Sequence, residues 1–147
     1  MQQEFIRIEE WPTEHAQRAY NTGNFIEALQ TLHGWIENKL RELLILAGTI
    51  DYKSEMSGIW DISNQISLVT SAHVLFILSQ LSENEYQMII KFNGIRNDVI
   101  HKIYRDPYEE IYKGIPKERY DEAFNIGMEL SEILQRKTDM KIDNNGL

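Results

Sequence analysis

The chain has 147 residues, with 15 Lys and Arg against 23 Asp and Glu, a formal charge of −8. It is 42% hydrophobic and has no Cys, which excludes a disulfide scaffold, thiol chemistry and any Cys-ligated zinc or iron–sulfur site. No apolar run approaches the roughly 20 residues of a membrane helix, and the overall acidity argues against a broad nucleic-acid-coating surface while allowing a small basic site. The polar, acidic start MQQEFIRIEEWPTE is unlike a signal peptide, and the absence of Cys fits a reducing, cytoplasmic setting.

Only eight Gly and three Pro interrupt the chain, and no sustained alternation marks a strand. The expected fold is all-α, an antiparallel bundle of about five helices over residues 1–137, followed by a polar, flexible tail over 138–147. Pro12 opens a first short helix running to about Tyr20. Asn21-Thr22-Gly23 ends it, and Asn24 is placed to cap the next. In that second helix Phe25, Leu29, Leu32, Ile36, Leu40, Leu43 and Ala47 fall within about 80° of a helical wheel, one narrow core-facing stripe, with Gly48 as its stop. Asp51 to Gly58 reads as a loop and Ser63 to Gln80 as a third helix. Ser82-Glu83-Asn84-Glu85 is a capping-box pattern opening a fourth helix to about Tyr104, with Gly94 as a kink point. Asp106-Pro107 breaks the chain. Pro116 starts a last helix that carries Tyr120, Phe124, Leu130 and Leu134 toward the core.

Several chemistries leave no mark. There is no Walker loop, dinucleotide-binding glycine fingerprint, HExxH pair or GxSxG elbow. His33 and Glu37 lie one turn apart, but no third metal ligand is spaced to join them, so His33 reads as a neighbour of the apolar stripe and Glu37 as a solvated or paired charge. His15 and His73 have no chemical company in sequence. No metal or cofactor is expected.

The informative stretch is residues 91–105. Lys91, Arg96, Lys102 and Arg105 against Asp98 give it a charge of +3, leaving −11 on the rest of the chain. With Ile89 as zero on a continuous helix, Phe92, Val99, Ile100 and Ile103 fall between about 280° and 20°, and Arg96 falls inside that stripe at about 340°. Asn93, Tyr104, Asn97 and His101 form a polar and aromatic strip at about 40° to 120°. Lys91, Lys102 and Arg105 cover the outer face, where they could bind RNA. A guanidinium on an apolar face is costly unless paired or placed at an opening. One reading pairs Arg96 with a carboxylate such as Glu37 and leaves His101 a bundle-edge histidine. The other is an anion site holding a base: histidine titrates near neutrality, and arginine matches phosphate oxygens with two parallel donors.

Arg96-Asn97-Asp98-Val99-Ile100-His101 resembles the Arg-x4–6-His motif of the HEPN family of small all-helical domains. Residues 20–29 and 37–44 resemble that family's first long helix, so the likeness spans roughly residues 20 to 137. It implies a metal-independent endoribonuclease acting as a toxin, in phage defence or in RNA processing, and working as a symmetric homodimer whose motif helices meet. By motif match Arg96 and His101 carry catalysis and Asn97 supports them; Asn93 and Tyr104 are the other expected supporting residues. The implied partners are an RNA substrate and an antitoxin, of the nucleotidyltransferase type in one subfamily. That subfamily has Tyr two residues after the His; here Ile103 stands there and Tyr104 one later. The expected chemistry is attack by the RNA 2′-hydroxyl, a group DNA lacks. The alternative reading is a non-catalytic module that binds a nucleotide or a partner through the same cleft.

Overall fold

The computed structural model describes residues 1–103 and 113–146. Pro12 stands at the first position of α1 (Pro12–Asn21), where its missing N–H costs no hydrogen bond. Gly23, at φ +84°, turns the chain into α2 (Phe25–Leu46). Asn24 occupies the cap position, but its side chain donates to Thr22 Oγ1 rather than capping the helix. The stripe on α2 is core as expected: Leu29, Leu32, Ile36 and Leu40 are fully buried. At about 1.5–3 kcal/mol per buried side chain, this helix anchors the fold. α1, α4, α5 and α6 all pack on it, α6 most extensively.

Gly48 does not stop the chain from coiling. α2 continues into one π-helical turn, Ala47–Asp51. The loop expected over 51–58 gives way at Met56 to α3 (Met56–Ser63), and the helix expected over 63–80 is the shorter α4 (Leu68–Ile77). Two short polar side chains make the break: the buried Ser63 hydroxyl donates to Trp60 O at 2.9 Å, and Ser67 Oγ accepts the Thr70 N–H at 3.1 Å. The described residues therefore form six α-helices rather than about five.

The capping box forms as read and opens α5 (Glu83–Lys102): Ser82 Oγ accepts Glu85 N–H at 3.1 Å, and Glu85 Oε1 accepts Ser82 N–H at 2.7 Å. Pro116 is the cap residue of α6 (Lys117–Asn144), which buries Tyr120, Phe124, Leu130 and Leu134. Residues 138–144, expected as a flexible tail, are the last turns of this helix. Thr138 is completely buried, and Lys141 pairs with Asp51 at 2.8 Å. Thr138 and Lys141 lie on the face of α6 that continues the core stripe, so the polar composition conceals a packed surface. No helix among the described residues is long and apolar enough to cross a membrane.

Candidate functional site

The core face of α5 consists of Ile89, Phe92, Ile95 and Val99, all buried, with Ile100 only partly so. This centre is rotated toward Ile95 from the stripe expected on Phe92, Val99 and Ile100. Arg96 lies on the side of this face between Phe92 and Ile89, where it is only partly buried and meets α2. That placement keeps the guanidinium close to α2 and leaves part of its surface to solvent.

Gln30 and His33 of α2 face Asn93, Arg96 and Asn97 of α5. Arg96 Nε donates to Gln30 Oε1 at 3.1 Å, its Nη2 donates to the same oxygen, and its Nη1 donates to Asn97 Oδ1 at 2.9 Å. His33 Nε2 donates to Asn93 Oδ1 at 3.3 Å, and its ring lies nearly parallel to that of Phe92 at 6.4 Å. Glu37, the carboxylate proposed to pair with Arg96, instead accepts from Arg41 at 3.2 Å. Arg96 is thus held by neutral carboxamide oxygens and remains half-exposed.

Two ionisable neighbours register this environment. Burial lowers the His33 pKa from its ordinary value, the Arg96 charge lowers it further, and the Asn93 hydrogen bond and Glu37 oppose both. Burial also lowers the Arg96 pKa, against the opposing charge of Glu37. Arg96 stays a cation, and beside it His33 is held toward its neutral form.

His101 is exposed in the last turn of α5, with no hydrogen-bond partner among the described residues. It is five residues from Arg96, which on an α-helix means about 140° around the axis and about 7.5 Å along it. Within one chain the two motif side chains therefore diverge. The outer cations are engaged: Lys91 pairs with Glu122 at 2.6 Å and Lys102 with Asp98 at 3.4 Å. Tyr104 and Arg105 lie outside the described residues. No group of three or more His, Asp or Glu side chains among the described residues could hold a metal ion, and His33 and Glu37 each have another partner.

Comparison of the chain with protein-family models, with curated proteins and with solved structures finds no match.

The arrangement unites Arg96, Asn97 and Asn93 from the sequence-predicted set and adds Gln30 and His33. The spacing Gln30, His33, Glu37 marks a polar strip on one face of α2. What it faces is set by the packing of α2 against α5, which no local pattern encodes. Chemically, the site offers a cation with unused donors at a solvent-open edge, and a separate exposed histidine on the same helix.

Proposed function

We propose that the protein is a metal-independent endoribonuclease acting as a symmetric homodimer. The observation that carries this reading is the Arg96 guanidinium, open to solvent and held only by neutral oxygens, on the helix that also exposes His101. An arginine already paired to a carboxylate would have little charge left for a phosphate. The divergence of Arg96 and His101 within one helix favours a site completed across a two-fold axis, the commonest soluble assembly. There Arg96 of one chain and His101 of a second copy could approach one scissile phosphate.

In this reaction the RNA 2′-oxygen attacks the adjacent phosphorus while His101 takes its proton. The bond from phosphorus to the 5′-oxygen breaks, and that oxygen receives a proton from the histidine of the second copy. The products are a 2′,3′-cyclic phosphate and a 5′-hydroxyl. Arg96 stabilises the negative charge growing on the phosphoryl oxygens. Asn97 orients Arg96, and Asn93 holds His33 beside it. Such an activity needs restraint in a cell, and the likeness to HEPN toxins makes an antitoxin the class of partner to seek.

The test is cleavage of mixed RNA in EDTA by the wild type, Arg96→Lys and His101→Ala, with light scattering for oligomeric state. Expected are a dimer, cyclic-phosphate ends, and no cut where the 2′-hydroxyl at the cleavage position is removed. Cleavage of DNA, dependence on Mg²⁺, full activity in His101→Ala, or an active strict monomer would each overturn the proposal. A second reading, the non-catalytic binding module, draws on the absence of a partner to orient the His101 ring among the described residues. RNA or nucleotide binding without any strand breakage would decide for it.

A further inference from the structure

Arg96 carries five N–H donors. Three of them are engaged, two by the single oxygen Gln30 Oε1 and one by Asn97 Oδ1. Two donors remain on the Nη atoms, the number that a phosphate accepts in parallel bonds. Asn97 is the next residue on the same helix and holds Arg96 against α5 alone, whereas Gln30 belongs to α2 and fixes the guanidinium across the junction of the two helices. It grips the edge formed by Nε and Nη2, which directs the opposite end of the guanidinium outward.

The identity of the acceptor matters as much as its position. Glutamate would occupy the same volume and accept the same bonds, but would neutralise the cation. Among the described residues no carboxylate bonds Arg96 directly: Glu37, whose charge acts on it through space, is bonded to Arg41, and His33 is bonded to Asn93.

We propose that Gln30 is the positioning residue of the anion site: its carboxamide oxygen aims the Arg96 guanidinium at a phosphate and, being uncharged, leaves that charge available to the ligand. This rests on the ribonuclease reading of the Arg96 site. Because Gln30 is exposed, its substitution does not endanger the fold.

The experiment compares Gln30→Glu and Gln30→Ala in the full chain. Binding is read by fluorescence anisotropy of a labelled, uncleavable 2′-O-methyl RNA oligonucleotide, and turnover is read on the unmodified RNA. The Nε–Hε signal of Arg96 is followed by NMR. Gln30→Glu should weaken RNA binding at least tenfold at low salt. It should also reduce the slope of log affinity against log salt by about 0.7 per site, one phosphate contact on a single strand. Gln30→Ala keeps the charge but frees the side chain, so kcat should fall about tenfold with KM little changed, as for a misplaced catalytic group. The Nε–Hε signal should be protected in the wild type and in Gln30→Glu and lost in Gln30→Ala. Wild-type affinity and kinetics in both variants, or a protected signal in Gln30→Ala, overturn the proposal. If the wild type neither binds nor cuts RNA, the ribonuclease reading fails, and the NMR signal alone decides whether Gln30 positions Arg96.

Discussion

His15 and His33 sit on neighbouring helices and carry the same ring, yet their surroundings treat its proton in opposite ways. His15 Nδ1 lies 3.0 Å from Glu10 and its Nε2 3.1 Å from Glu27. The Glu10 hydrogen bond raises its pKa against the cost of burial, and Glu27 adds to the rise. Glu10 is also paired to Arg18, so the cluster ties the segment before α1 to both α1 and α2. His33 faces a carboxamide and a guanidinium, and its pKa falls. The first histidine is a clasp between secondary-structure elements, held toward its charged form by two carboxylates. The second is a neutral spacer beside a cation. A histidine in this chain is thus defined by its partners, and beside His33 stands Arg96, a cation that no carboxylate neutralises by a direct bond.

The strongest way to break this contrast is to ask which side of the molecule carries turnover. Positioned proton transfer contributes about 10²–10⁴-fold, so His101→Ala should lose at least ~100-fold in RNA cleavage with an unchanged circular dichroism spectrum. Arg96→Lys should be nearly as damaging, because an ammonium lacks the two-pronged donor geometry. His15→Gln should leave kcat and KM unchanged and alter only stability. Equal losses in His15→Gln and His101→Ala would erase the distinction between clasp and site.

A smaller effect follows from what lies beneath the site. Phe92 supports His33 from below and is itself pressed by Gly127 of α6. A Cβ at Gly127 would come within 2.8 Å of Phe92 Cε2 and 2.9 Å of Leu32 Cδ1. Gly127→Ala overpacks this junction and should cost about 1–3 kcal/mol, read as a lowered denaturation midpoint at constant slope. A neutral or stabilising Gly127→Ala would mean that the floor of the site yields easily.

These features were not equally legible in the sequence. The α2 stripe and the Ser82–Glu85 cap could be read because each is a local pattern with one structural solution. Asn93, Arg96 and Asn97 share a helix face by spacing alone. Gln30 could not be found that way, since its meaning lies in a contact with a residue 66 positions later. The break between α3 and α4 escaped because it is made by local side-chain bonds, Ser63 to Trp60 O and Thr70 N–H to Ser67, in a mixed polar and apolar run that a helix also accepts. The end of α6 escaped because Thr138 satisfies its hydroxyl within the helix, at Leu134 O, and Lys141 finds its partner in Asp51, 90 positions away. The partial exposure of Arg96 is not legible from the wheel, because it depends on where α2 ends its contact with α5.

The finest test of the contrast is the pH dependence of the two histidines. In the unfolded chain both titrate near about pH 6.5. For His15 the folded pKa is raised, so its contribution to stability is fully present below that pH and is lost as pH rises through the folded value. For His33 the folded pKa is lowered, so its contribution is present above about pH 6.5 and is lost as pH falls toward the folded value. Together they favour a stability maximum near that pH. His15→Gln should flatten the alkaline side and His33→Gln the acid side, each by a modest change in melting temperature. The ring signals in an NMR titration resolve the same point residue by residue, with His15 titrating above about 6.5 and His33 below it. Because the Arg96 charge is one cause of the low His33 value, Arg96→Ala should move the His33 midpoint upward and leave that of His15 in place. A His33 midpoint that ignores Arg96→Ala would show that burial alone keeps this ring neutral, and that the two residues do not share a site.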